Sequence, residues 1–126
     1  GLIPDMSGMA TLSRLTRVDI AQELTMTGRF FSGNEALEYG LVSKVSENPL
    51  TEAKLLADKI CLQSPDAIAA TKYLFNKTWK KDTRMALLWE RITQLRLLGR
   101  KNQRIAMENG LSKKGNKKSF IDRSSF

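Results

Sequence analysis

A chain of 126 residues, 41% of them hydrophobic, can bury one compact core, and none of its apolar runs nears the roughly 18 residues that cross a bilayer. With one cysteine, Cys61, and no histidine, the sequence excludes an internal disulfide, histidine-assisted nucleophiles and ordinary zinc sites, leaving carboxylate, lysine and tyrosine for proton transfer. The formal charge of +8, from 21 basic and 13 acidic side chains, favours anionic partners such as phosphates.

Residues 1–8 read as a loop, since Pro4 and two glycines interrupt any regular element. Residues 9–17 fit a short helix and 18–26 a better one, with Ile20, Ala21 and Leu24 on one side and Gly28 suited to a left-handed end. Ser32-Gly33-Asn34-Glu35 is a capping-box pattern that predicts a short helix over 34–39, closed by Gly40. Leu41-Val42-Ser43-Lys44-Val45 alternates and is rich in branched side chains, which predicts a short strand in need of a pairing partner.

Beyond Pro49, the recurrence of Ala53, Leu56, Ala57, Ile60 and Cys61 predicts an amphipathic helix over 51–62, with Cys61 expected as a small buried hydrophobe. Ser64-Pro65-Asp66 is a restart signal, a capping residue followed by proline at the first helical position, and Ile68, Ala69, Lys72, Phe75, Thr78 and Trp79 give the following helix a mixed face. Asp82 caps the longest helix, whose stripe of Met85, Leu88, Trp89, Ile92 and Leu95 runs towards Gly99. A last short helix is expected over 104–109. Residues 112–119 are polar and basic and are expected to be loosely held. The opening lacks the basic start of a secretory signal, and Ser124-Ser125-Phe126 is not a peroxisomal address, so a soluble cytoplasmic protein is expected.

Three pieces stand in a fixed order: Gly1-Leu2-Ile3-Pro4-Asp5-Met6-Ser7-Gly8, then Thr27-Gly28-Arg29, then Glu35-Ala36-Leu37 with Gly40-Leu41-Val42. Together they resemble the second half of the crotonase superfamily, the enoyl-CoA hydratases and isomerases, over about residues 1–123. The resemblance implies a mostly α chain with one short strand, corresponding to the C-terminal half of the α/β crotonase-like spiral. Residues 1–48 would end the spiral core, and 49–126 would form a helical oligomerisation region with a basic tail. It also implies a coenzyme A thioester as substrate, no permanently bound cofactor and no metal. The partners it implies are the N-terminal half of the same fold and further copies in a trimer or hexamer, with no nucleic acid or membrane. In that family two backbone amides from the N-terminal half stabilise an enolate oxygen, so the 126 residues alone are expected to be inactive.

By the same resemblance Asp5 matches a position where isomerase-like members carry a catalytic acid or base, while Leu2, Ile3 and Met6 would line the acyl slot. Apolar neighbours of this kind would raise the Asp5 pKa towards the working range. Asp5 also suits a helix cap or a loop, and typical hydratases instead use a glutamate upstream of this stretch. In relatives a lysine near the C-terminus and an aromatic or apolar residue on the last long helix approach the adenine and phosphates of coenzyme A; by the resemblance Lys113, Lys114 or Lys117, followed by Phe120, would serve here. Many relatives carry an acidic pattern before the last helix; here Asn102-Gln103-Arg104-Ile105-Ala106 lacks both acids. Arg29 is expected to pair with Glu23, Glu35 or Glu38, and Tyr39, Trp79 and Trp89 to pack. Two competing readings remain: a non-catalytic helical oligomerisation module, and a basic nucleic-acid binder supported by charge alone.

Overall fold

In the computed structural model residues 2–4, 7–112 and 117–124 are described. Seven helices occur among them: α1 (Gly8–Leu15), α2 (Val18–Thr27), α3 (Gly33–Glu38), α4 (Pro49–Cys61), α5 (Pro65–Thr78), α6 (Thr83–Leu97) and α7 (Lys101–Leu111). The chain divides into two compact units, Gly1–Glu52 and Ala53–Phe126.

In the first unit α1 packs on α2, and Ala21, Leu24 and Ala36 are buried. Ser7 precedes α1 with a left-handed φ of 68° and makes no side-chain cap bond. Gly8 is needed beside it, because a Cβ there would come within 2.8 Å of the Pro4 side chain. Gly28 closes α2 at φ 63°, as its position in the sequence predicts. The capping box forms: Ser32 Oγ accepts from the Glu35 amide, and the Glu35 carboxylate accepts from the Ser32 amide at 2.8 Å.

The predicted strand over 41–45 is not there; the described residues contain no strand. The Leu41 and Val42 amides instead donate back to the Ala36 carbonyl, finishing the turn that ends α3. A strand exists only through its partner, and no described segment offers an edge to residues 41–45.

In the second unit α5 packs against α6 and α7. Ser64 caps α5 through the Ala67 amide, with Pro65 at the first position. Asp82 caps α6 through the Met85 amide. The faces turned inward differ from those expected. In α5 the buried residues are Asp66 and Ala70, and in α6 the buried residue is Thr93, while Met85, Leu88 and Leu95 stay exposed. Helix α4 buries none of its residues, and Cys61 is exposed rather than buried. No described element covers that apolar face, so periodicity found the stripe but nothing local supplied its cover. Helix α7 begins earlier and ends later than expected, at Lys101 and Leu111. Trp89 meets the Tyr73 ring edge-on at 6.2 Å, with the Lys77 ammonium 4.4 Å above the Trp89 ring. No helix among the described residues is long and apolar enough to cross a membrane.

Candidate functional site

Of the opening segment, Leu2 and Ile3 project into solvent, at 100% and 78% exposure. Asp5 and Met6 lie outside the described residues, as do Lys113 and Lys114. Among the described neighbours, Ser7 has a left-handed φ of 68° and Gly8 leaves no room for a Cβ beside Pro4.

Arg29 performs the pairing expected of it and adds a partner. Its guanidinium donates to Glu23 at 2.7 Å, to Glu35 at 2.9 Å and to the Tyr39 hydroxyl at 3.1 Å. Glu23, then Glu35 and Tyr39, raise the Arg29 pKa still further above its ordinary value. The Ser32 amide, then Arg29, lower that of Glu35. With every donor turned inward on this cluster, Arg29 ties the end of α2 to α3. Tyr39 packs its ring against Phe31, with centroids 6.4 Å apart.

In the second unit a groove of about 850 Å³ runs beside the end of α4, the start of α5 and the end of α7. Leu62 and Ile68 give it an apolar side, while Lys117, Lys118 and Phe120 come from the segment that follows α7. Lys118 pairs with Glu108 across 2.5 Å. Lys117 forms no ion pair among the described residues. Two of the sequence-chosen tail residues, Lys117 and Phe120, are therefore brought together on one wall. Cys61, without any role assigned by the sequence, lines the same groove.

Two asparagines of α7 hold that wall. Asn109 of α7 grips residue 118 in both directions: its Nδ2 donates to the Lys118 carbonyl at 2.9 Å and its Oδ1 accepts from the Lys118 amide at 2.7 Å. Asn102, two turns earlier, does the same to Ile121, donating at 3.1 Å and accepting at 3.0 Å. Asn102 Nδ2 also donates to Asp66 at 3.1 Å, and Asp66 accepts from the Ser124 amide at 2.7 Å and the Ser124 hydroxyl at 3.3 Å. Asn102 is 0% and Asp66 1% exposed. A buried carboxylate needs such partners to offset its lost hydration. The sequence signal was available: asparagines seven residues apart share one face of a helix. Among the described residues no cluster of three or more cysteine, aspartate or glutamate side chains could hold a metal.

The family model for enoyl-CoA hydratase/isomerase matches residues 1–117. A carnitinyl-CoA dehydratase from Salmonella typhi is 40% identical over 80 residues, which is 62% of this chain and 31% of that protein. An enoyl-CoA hydratase structure from Polaromonas sp. JS666 superposes with a TM-score of 0.79 and 31% identity, over 88% of this chain and 44% of that one. A structure from Mycobacterium abscessus, assigned as an enoyl-CoA hydratase/isomerase, gives 0.84 and 25%, over 98% and 50%. The chain thus matches half or less of the length of each of these relatives.

Proposed function

The chain belongs to the enoyl-CoA hydratase/isomerase family, and on that premise we propose that it supplies the C-terminal half of an acyl-CoA enzyme. Its groove beside α4, α5 and α7 would hold the nucleotide end of the thioester. The observation that carries this reading is that Lys117, which forms no ion pair among the described residues, and Phe120 line the same groove. A cation and an aromatic face are the two groups that a phosphorylated adenine nucleotide calls for.

At the reacting end, the proposal keeps Asp5 as acid and base. Its carboxylate takes the proton beside the thioester carbonyl. The electron pair moves to the carbonyl oxygen, where backbone amides outside this sequence stabilise it. Return of the proton at the far carbon shifts the double bond. What supports this role is the match of the Gly1–Gly8 stretch to the family pattern, which lies within the residues covered by the family model. In a family-length protein carrying this chain, Asp5→Asn should lower turnover of a 3-enoyl-CoA by about 10²-fold or more. An unchanged rate would return Asp5 to a structural role. The 126 residues alone should show no turnover.

A second reading is favoured by the 40% identity to a carnitinyl-CoA dehydratase. The reaction would then be loss or addition of water, with a glutamate outside this sequence as the acid–base group. Hydration of a 2-enoyl-CoA that survives Asp5→Asn would select this reading over the first.

A further inference from the structure

We propose that Asn109, Asn102 and Asp66 are positioning residues for the groove, a latch that fixes residues 117–124 by their main chain and so sets Lys117 and Phe120 against the ligand. The ligand part of the proposal rests on the reading of the groove as a site for the nucleotide end of coenzyme A.

The geometry is that of a side-chain ladder. Each asparagine amide presents one donor and one acceptor, the same pair a neighbouring strand would present. Asn109 satisfies both main-chain groups of residue 118, and Asn102 both of residue 121. Asp66 takes the Ser124 amide. The three anchors fall on residues 118, 121 and 124, once every three residues. They hold a segment to which no helix or strand is assigned. Lys117 directly precedes the first anchor, and Phe120 lies between the first and the second, so the main chain at both is held from a neighbouring residue. Because Asn102 and Asp66 are fully buried, an unmade bond there cannot be replaced cheaply by water.

The experiment uses the 126-residue chain. It reads hydrogen exchange of the Lys118, Ile121 and Ser124 amides, together with coenzyme A affinity by calorimetry. Asn102→Asp keeps the shape but removes the donor and sets two carboxylates together. It should speed exchange at Ile121 and Ser124 by about tenfold or more while helical content by circular dichroism is retained. Adding Asp66→Asn to it returns a donor to the pair and should recover part of the protection. Asn109→Ala and Lys117→Ala should each weaken coenzyme A binding. Their double variant should lose much less than the product of the two, because an unlatched Lys117 has little left to contribute. Fast exchange at all three amides in the parent chain would overturn the latch. So would full additivity of Asn109→Ala and Lys117→Ala, which makes them independent. Protected amides with no coenzyme A binding by the parent would overturn the ligand assignment and trace the failure to the groove reading rather than to the latch.

Discussion

Glu35 shows how much one side chain can be asked to do. It closes the capping box with Ser32 and receives one arm of Arg29. The Ser32 amide first, and Arg29 next, hold its carboxyl below its ordinary value. A folded pKa lowered in this way adds stability that is complete above the ordinary value and drains away as the pH falls through the lowered one. Between about pH 6 and about pH 2 the melting temperature of the parent should therefore fall more steeply than that of Glu35→Gln. Parallel curves would show that the pairing adds nothing. Half-exposed ion pairs contribute modestly, so the effect is one of slope rather than of survival. Ser64 offers a cleaner measure, since its hydroxyl caps α5. Ser64→Ala should cost about 1 kcal/mol in denaturant unfolding.

At the scale of elements, the ends of helices are more legible than their faces. Ser32, Ser64, Asp82 and Gly28 all act where the sequence puts them, because a cap is settled within three or four residues of itself. Gly28 and Gly40 are both left-handed, yet they are not equivalent. A Cβ on Gly28 meets nothing within 4 Å, whereas one on Gly40 would sit 3.0 Å from the Leu15 carbonyl oxygen. Gly28→Ala should cost about 1 kcal/mol of backbone strain alone, and Gly40→Ala clearly more. Equal losses in matched unfolding curves would mean that the α1–α3 approach yields freely. Faces were harder to read. The strand over 41–45, the burial of Cys61 and the inward row of α6 each rest on periodicity, and periodicity says only that a face wants cover. Asp66 reads in sequence as an ordinary acid in a helix's first turn. Its burial depends on Asn102 and Ser124, 36 and 58 residues away.

For the whole molecule, the imbalance is between small cores and large exposed apolar groups. Ala21, Leu24, Ala36 and Ala70 are the buried hydrophobic residues among those described, while Phe30, Trp79 and Leu95 stand largely in solvent. A surface of that kind marks a place for other protein. The proposed occupants are the other half of the family fold and further copies in a trimer or hexamer. The isolated chain should bind a hydrophobic dye such as anilinonaphthalene sulfonate and sediment above its monomer mass of 14.2 kDa. A dye-silent monomer would count against that arrangement.

The asparagine anchors also bear on how such a protein can change. They grasp peptide groups and ignore side chains, so the residues at 117 and 120 are free to be exchanged without loosening the hold. Selection, or an engineer, can thus rewrite the groove's preference for its guest while the scaffold beneath it keeps the same fastening.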